Sequence, residues 1–379
     1  MSLRHLPTRS RRRPAARPDA SPVRRPRGPL AALVLATVVT VALSGCSSTG
    51  RAEPPGGGLA ADAALPTEVP PGTTLTIGDP VTQRALELSG LADDLPFEIE
   101  WANISGGPQT TEAFRAGALD VGSVADIPPI HATWTGLDVK VIAARFRQDP
   151  VNHPIYELGV APGVDVTEIG DLAGKRIAYS PGQAQGALVL RVLQAAGLTR
   201  DDVELVELAS TGDVYPTALA SGQVDVAPLG GVNIKRYLAN YGADGATTIR
   251  HGLRDDPSYL YVPTGVLRDP AKAAALREFV EVWAQAHAWA HDNRDAWIDG
   301  YYVEQEGLSR EDGEYLADAA GVPDIPADWD EVIERQQQTI DLLAEATDQP
   351  RLEAAELFDR RFESVAADAL GGAREGAAS

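Results

Sequence analysis

The chain has 379 residues, 44% of them hydrophobic, so it is long enough for two domains with sizeable cores. It holds 54 acidic against 33 basic residues, a formal net charge of −21. This balance argues against a nucleic-acid-binding protein, because phosphate recognition needs a basic surface.

Residues 1–45 form a basic and then apolar segment that is typical of a secretion signal. They contain nine Arg and one acidic residue, and residues 30–43 are an uncharged apolar run. The run is shorter than a membrane-spanning helix and fits the apolar part of a signal peptide. The pairs Arg11-Arg12 and Arg24-Arg25 leave twin-arginine export open beside the general secretion route.

The apolar run ends in Leu43-Ser44-Gly45-Cys46, which resembles a bacterial lipobox. Cys46 is the only Cys, so the chain has no disulfide and no Cys metal site. We predict that Cys46 is lipidated and anchors the protein to the outer face of the cell membrane. An ordinary secretion signal with a chance Cys is the alternative. A mature chain starting at Cys46 would carry a net charge of −29.

Residues 46–72 comprise the lipidated Cys and a segment rich in Ser, Gly, Pro and Ala. That composition is typical of a flexible tether. The globular part is predicted to begin at Thr73.

Strands and helices alternate along most of the globular part, which indicates βαβ units and mainly parallel sheets. The run at 186–198 reads as an apolar helix that Gly197 closes, and 269–364 is mostly helical with Pro and Gly breaks. The predicted strands cover 74–77, 97–104, 119–122, 139–144, 157–162, 175–180, 203–208 and 259–262.

One spacing occurs twice, about one hundred residues apart. Gly117 is followed after two residues by Asp120-Val121, and Gly222 is followed after two residues by Asp225-Val226. We interpret the repeat as evidence for two similar α/β lobes. Independent helix–turn–strand chemistry, with Gly as the helix cap, is the alternative.

Three loops follow a predicted strand and open a helix, where ligands bind in open α/β sheets. Such helix starts offer free backbone N–H groups and the positive end of the helix dipole. Three of them converging on one cleft would hold a small anion without Arg or Lys. A single loop of this kind is usually a plain strand-to-helix connection without a ligand. Asp126 could also be the N-cap of its helix instead of a ligand contact. The candidate residues in these loops are Ser105, Gly106, Gly107, Gln109, Ser123, Ala125, Asp126, Ser180, Gln183 and Gln185.

Other motifs carry little weight. The stretch at 170–176 is a near miss for a phosphate-binding P-loop, with Arg176 where Ser or Thr should hold magnesium. His287 and His291 have zinc-binding spacing, but no third ligand has an evident place. We therefore predict no metal and no cofactor.

Residues 105–132, SGGPQTTEAFRAGALDVGSVADIPPIHA, carry a resemblance to a known family. They resemble periplasmic substrate-binding proteins of ABC importers for aliphatic sulfonates, taurine and nitrate, the aliphatic-sulfonate branch most closely. The likeness continues through 171–198 and covers most of 73–346. The matching positions are Gly107, Pro108, Gln109, Gly117, Asp120, Gly122, Asp126, Pro128 and Pro129.

The resemblance implies an α/β, two-lobed periplasmic-binding-protein fold, each lobe a mainly parallel sheet flanked by helices, with a helical C-terminal segment. Lobe 1 would comprise 73–156 plus 257–365, and lobe 2 would comprise 157–256. Residues 366–379 are predicted to be a disordered tail.

The resemblance also implies a function. The chain would be a monomeric solute-binding lipoprotein, not an enzyme, that carries a small organic anion to a membrane permease and its ATPase. An aliphatic sulfonate or a taurine-like compound is the expected ligand. By position, the family's ligand contacts fall on Gly107, Gln109, Ser123, Asp126, Gln183 and Gln185.

Alternatives are a receptor for nitrate, bicarbonate or a cationic or pyrimidine-type ligand, an enzyme on this fold, or a sensor that feeds no importer. Two departures from the family pattern keep the ligand open. Asp79 stands where relatives often carry Tyr or Gln, and it could hold an amine. The segment 227–233 lacks the usual Trp, which could mean a larger or different ligand. Gly231 and Asn233, in this segment, are further ligand-binding candidates.

Overall fold

The computed structural model describes residues 58–104 and 106–377, which belong to one compact unit. The predicted signal segment, Cys46, Ser105 and the first part of the tether lie outside the described residues. No helix among the described residues is both long enough and apolar enough to span a membrane.

The strands of the described residues form two sheets. They are β1 (Thr74–Gly78), β2 (Glu98–Trp101), β3 (Val121–Val124), β4 (Val139–Arg147), β5 (Tyr156–Val160), β6 (Arg176–Tyr179), β7 (Glu204–Glu207), β8 (Val226–Gly230), β9 (Thr247–Ile249), β10 (Ser258–Pro263) and β11 (Pro323–Asp324). The first sheet has the order β11-β4-β10-β3-β1-β2, and the second has the order β7-β6-β8-β5-β9.

Both sheets are mixed, and in each of them four strands run in the same direction while the other strands run antiparallel to them. In the first, β1 pairs in parallel with β2 and β3, while β10 runs antiparallel between β3 and β4. In the second, β6 pairs in parallel with β7 and β8, while β5 runs antiparallel between β8 and β9. The carboxyl ends of β1, β2, β3 and β4 therefore share one edge, as do those of β6, β7, β8 and β9.

Helices flank both sheets. They are α1 (Pro80–Ser89), α2 (Gly107–Arg115), α3 (Ile127–Trp134), α4 (Ala184–Ala195), α5 (Val214–Ala220), α6 (Val232–Tyr241), α7 (Thr264–Leu267), α8 (Pro270–Asp292), α9 (Arg294–Trp297), α10 (Arg310–Ala320), α11 (Asp330–Thr347) and α12 (Val365–Ala377). A π-helical segment, Ile298–Gln305, follows α9. Short 3-10 turns occupy Ile169–Leu172, Arg200–Asp202, Gly242–Asp244, Ala354–Leu357 and Arg360–Phe362.

The predicted fold class is confirmed by two sheets flanked by helices and a mostly helical C-terminal part. The predicted disordered tail is wrong over 366–377, where α12 continues the chain as a helix. Ala366 is buried and Leu370, one turn later, packs against the core, so the segment has an apolar face to bury. The exact lobe boundaries remain a prediction.

The repeated Gly-x-x-Asp-Val spacing has the same structural role in both sheets. Asp120 accepts a hydrogen bond from the backbone N–H of Thr76 on the neighbouring parallel strand, at 3.0 Å. Asp225 accepts one from the backbone N–H of Arg176, again on the neighbouring parallel strand, at 2.8 Å. In each sheet the carboxylate therefore satisfies a backbone donor where a strand begins.

The chain crosses between the sheets at 148–155 and 250–257, and two carboxylates join these crossings. Asp255 accepts the backbone N–H groups of Ile155 and Tyr156, both at 2.8 Å. Asp256 accepts the backbone N–H of Arg147 at 2.7 Å. Both carboxylates are buried, and the bonds of Asp255 connect the second crossing to Tyr156 at the edge of the second sheet.

Candidate functional site

A cavity of about 520 Å³ lies where the carboxyl ends of parallel strands from both sheets face each other. We call it the cleft cavity. Six sequence-predicted candidates line it: Gly106, Gly107, Gln109, Ala125, Gln183 and Gln185. The other lining residues are Asn103, Val124, Pro128, Tyr156, Ala184, Ser210, Thr211 and Gly212.

The three predicted helix starts meet at this cavity. A Cβ atom added to Gly107, at the start of α2, would lie 2.6 Å from Cγ of Pro128 and 2.9 Å from the carbonyl oxygen of Gly182. Pro128 belongs to the first turn of α3, and Gly182 precedes α4. Only glycine allows this approach, which brings both sheets together at one point.

The N-terminal N–H groups of these helices are not capped by their own N-cap side chains. Gly106, Asp126 and Gln183 occupy the N-cap positions of α2, α3 and α4, and none makes a side-chain capping bond. By contrast, Asp79 caps α1 and Asp269 caps α8. Uncapped donors at the positive end of a helix dipole suit an anion.

The Gln183 side chain has a fixed orientation. Its Oε1 atom accepts hydrogen bonds from Ser180 Oγ at 2.6 Å, from the backbone N–H of Ser210 at 3.1 Å, and from Ser210 Oγ. A backbone N–H can only donate, so the carboxamide oxygen must face it. The NH₂ group therefore faces Gly106, where an added Cβ would lie 3.3 Å from Nε2.

Neutral groups line the cleft cavity as far as the structure describes its wall. Burial raises the pKa of Tyr156 far above that of a free phenol, so its hydroxyl keeps its proton and can donate. Amide groups of Gln109, Gln183 and Gln185 add further donors. The wall can thus bind an anion by hydrogen bonds and helix dipoles without a formal counterion.

Asp79 does not line the cleft cavity. It is 2% exposed, and its two carboxylate oxygens accept from the backbone N–H of Thr82 at 3.0 Å and from Thr82 Oγ1 at 2.6 Å. Burial raises its pKa. The structure gives Asp79 the role of an N-cap, and a role in holding an amine stays a prediction.

Asp126 neither caps α3 nor lines the cleft cavity. Its carboxylate forms an ion pair with Arg191 at 2.5 Å and accepts a hydrogen bond from Thr339 Oγ1 at 2.9 Å. It lines a different cavity, described below. The sequence could not show this, because Arg191 and Thr339 lie 65 and 213 residues further along the chain.

The remaining candidates that the structure describes do not line the cleft cavity. Ser180 is buried and orients Gln183, as described above. Asn233 donates to the carbonyl oxygen of Gly212, in a loop that lines the cavity, at 3.4 Å. Gly231 lines a separate, small cavity. Ser123 lies half-buried on β3, and Ser105 lies outside the described residues.

Sequence reasoning missed Ser210, Thr211, Tyr156 and Asn103, which also line the cleft cavity. The first two belong to a fourth small-residue loop, after β7, and the strand predicted at 203–208 was the available signal. Tyr156 begins an antiparallel strand, so its place at this edge depends on sheet topology. Asn103 follows β2, within the segment that was predicted to be strand.

Comparison with known proteins is consistent with this geometry. The profile of the family described as NMT1/THI5 like matches residues 98–296. A protein of Escherichia coli (strain K12) named as an aliphatic sulfonates-binding protein is 33% identical over 107 residues, which is 28% of this chain and 32% of that protein. The match thus spans about a third of the length of this curated relative.

Solved structures share the fold. The alkanesulfonate-binding protein SsuA from Xanthomonas axonopodis pv. citri, bound to MOPS, has a TM-score of 0.63 at 24% identity, covering 78% of this chain and 99% of that one. The periplasmic aliphatic sulphonate binding protein SsuA from Escherichia coli has a TM-score of 0.61 at 23% identity, covering 75% and 91%.

The desulfurization enzyme DSZB is also similar in fold, with a TM-score of 0.53 at 20% identity, covering 79% of this chain and 99% of that one. The fold therefore occurs in both binding proteins and an enzyme.

Proposed function

This chain belongs to the NMT1/THI5-like family, and from that premise we propose that it binds a small organic anion with a sulfonate headgroup in the cleft cavity. It serves as the solute-binding subunit of an ABC importer and releases its ligand to the permease. An aliphatic sulfonate or a taurine-like zwitterion is the expected ligand.

The fixed orientation of Gln183 is the observation that carries this proposal. Its oxygen is occupied by Ser180 and Ser210, so its NH₂ group faces the cavity beside the start of α2. A tetrahedral oxyanion can accept from this amide and from the N–H groups at the starts of α2 and α4 at once. A cation would meet the positive ends of three helix dipoles, so a cationic ligand is not favoured.

Cavity size favours an organic anion over nitrate or bicarbonate. A volume of about 520 Å³ lies within the range of small-molecule pockets and exceeds what nitrate or bicarbonate fills. A binding protein is also favoured over an enzyme. The described residues that line the cavity offer no Cys or His as a nucleophile or base.

Lipid anchoring of Cys46 completes the proposal and rests on the lipobox-like sequence alone. Labelling with a clickable fatty acid in a bacterial host would test it. Wild type should carry the label and sediment with membranes, while Cys46→Ser should lose both properties. An unlabelled wild type would remove the anchor from the proposal.

The ligand is tested by calorimetry and thermal unfolding of residues 58–379 with ethanesulfonate, taurine, MOPS, sulfate and nitrate. A sulfonate at 100 times its Kd should stabilise the protein by about 2.7 kcal/mol. Gln183→Glu keeps an acceptor for Ser180 and Ser210 but replaces the NH₂ donor with an oxygen. We expect it to weaken sulfonate binding by about tenfold to a hundredfold.

Gln83→Glu is the matched control, because it introduces the same charge on the exposed face of α1, where Gln83 contacts Glu87. It should bind like wild type. Binding of none of the anions, or equal binding by Gln183→Glu and wild type, would contradict the proposal.

A further inference from the structure

A second cavity, of about 630 Å³, lies between α4, α11 and the crossing at 250–257. We call it the Arg335 cavity. It is larger than the cleft cavity, and it joins the sheets because α4 follows a strand of the second sheet while Phe146 and Tyr259, also in its wall, lie in the first. Its wall combines charged groups with apolar Leu253, Pro257 and Leu342.

Two guanidinium groups converge on one aromatic ring in this wall. Arg335 lies 4.5 Å and Arg254 lies 5.2 Å from the centroid of Phe146. Arg254 is neutralised by Asp256, at 2.7 Å. The carboxylate paired with Arg335 is that of Glu331, which is 3.6 Å away and 88% exposed. A contact of that kind contributes little, so the Arg335 charge is weakly compensated.

The acidic residues of this wall are occupied elsewhere or face solvent. Asp126 pairs with Arg191 at 2.5 Å, and Asp341 pairs with Arg351 at 2.7 Å. Glu345 is exposed. Arg335 is therefore the cation of this wall that is left for an incoming anion.

Two buried polar atoms of the wall lack a hydrogen-bond partner among the described residues. One is Nε of Arg335, a donor, and the other is Oε1 of Gln336, an acceptor. Gln336 is 1% exposed, and its Nε2 donates to the carbonyl oxygen of Asp126 at 2.8 Å. Since a carbonyl can only accept, Oε1 is the atom left over. Buried polar atoms without partners are costly, which points to an occupant.

We propose that the Arg335 cavity is a second small-molecule site, for an organic anion that also carries a hydroxyl or amine donor and a short apolar group. The anionic group binds Arg335, the donor reaches Gln336, and the apolar group packs on Leu253 and Leu342. This site is separate from the cleft cavity, so it stands whether or not the cleft binds a sulfonate.

Calorimetry with 3-phenyllactate as the probe tests this site, because phenyllactate combines a carboxylate, a hydroxyl group and an apolar ring. We expect Arg335→Gln to weaken its binding at least tenfold. Arg335→Lys keeps the charge but loses the planar fork, so we expect an intermediate loss. Arg310→Gln removes the same charge at a site outside the wall, where its acidic partners Asp295 and Asp299 also lie, and it should bind within about twofold of wild type.

Two comparisons locate the probe. Gln183→Glu alters only the cleft cavity and should bind phenyllactate like wild type. 3-Phenylpropionate lacks the hydroxyl group and should bind at least threefold more weakly than phenyllactate. Near-ultraviolet circular dichroism confirms that each variant is folded.

No binding to wild type at millimolar phenyllactate would overturn the proposal. So would equal binding to Arg335→Gln and wild type, or a loss confined to Gln183→Glu, which would place the probe in the cleft. Equal affinity for phenylpropionate would overturn the assignment of Gln336 as an acceptor.

Discussion

Two buried glutamines, one in each cavity, are fixed in opposite senses. In the cleft cavity a backbone N–H holds the oxygen of Gln183, so the side chain presents donors. In the Arg335 cavity a backbone carbonyl holds the nitrogen of Gln336, so the side chain presents an acceptor. The difference shows that the backbone decides what each amide offers, and that residue type alone does not.

The cavities also differ in how charge is handled. The cleft wall uses neutral donors and helix ends, while the Arg335 wall is built from ion pairs. Ala125 and Asp126 are neighbours in sequence, yet the first lines one cavity and the second lines the other. Substitutions that damage one cavity and spare the other therefore test the comparison directly.

Arg191→Met should have the largest effect on stability. Asp126 is 4% exposed, and losing Arg191 would leave its carboxylate with Thr339 as its remaining side-chain partner. Removing one partner of a buried pair costs about 3 kcal/mol or more. Urea unfolding at neutral pH would measure the loss of unfolding free energy.

The double variant Asp126→Asn/Arg191→Met is the control, because it removes both charges. It should recover at least half of the loss, since no uncompensated charge remains. A single variant that loses less than about 1 kcal/mol would show that the pair does not hold α3, α4 and α11 together.

Local signals explain how much could be predicted. Each helix or strand pattern depends on neighbouring residues, and so do the small-residue loops before α2, α3 and α4. These local signals predicted six residues of the cleft wall. The tail was predicted wrongly because α12 packs against α8, which is distant in sequence, and local sequence does not show that contact.

The Arg335 cavity could not be predicted. Phe146, Arg254 and Arg335 are separated by more than eighty residues at each step, and no motif links them. The partners of Asp126 were missed for the same reason. Long-range ion pairs depend on the completed topology, whereas a helix start depends on its own few residues.

Gly107→Ala should have the second largest effect, and it damages the cleft cavity alone. The new methyl group would meet Pro128 at 2.6 Å and the backbone oxygen of Gly182 at 2.9 Å, so the two sheets must separate locally. Overpacking of this kind costs about 1–3 kcal/mol. We expect lower stability and weaker sulfonate binding, measured by urea unfolding and calorimetry.

Gly265→Ala is the matched control, because an added Cβ there meets no atom within 4 Å. Its stability should equal or slightly exceed that of wild type. If Gly107→Ala were equally harmless, the helix starts would not be in the close contact that the cleft requires.

His131→Gln should have the smallest effect on stability. It tests whether His131 makes the packing between α3 and the loop before α4 sensitive to acid. An added Cβ on Gly182 would lie 3.2 Å from its Nδ1, so His131 packs where α3 meets the loop before α4. Burial lowers its pKa below the ordinary 6.5. The folded protein thus binds this proton more weakly than the unfolded chain does.

Stability contributed by a neutral His131 is complete above about pH 6.5 and decreases as the pH falls towards the lowered pKa of the folded state. His131→Gln should therefore reduce the loss of stability between pH 7.5 and 5.5, measured by urea midpoints, whereas exposed His291→Gln should not. Some loss should persist in His131→Gln, because burial also lowers the pKa of His287. An unchanged pH dependence in His131→Gln would mean that packing of His131 against Gly182 does not contribute to stability. The contact at Gly107 would then be the one that stabilises the packing of α2 and α3 against the loop before α4.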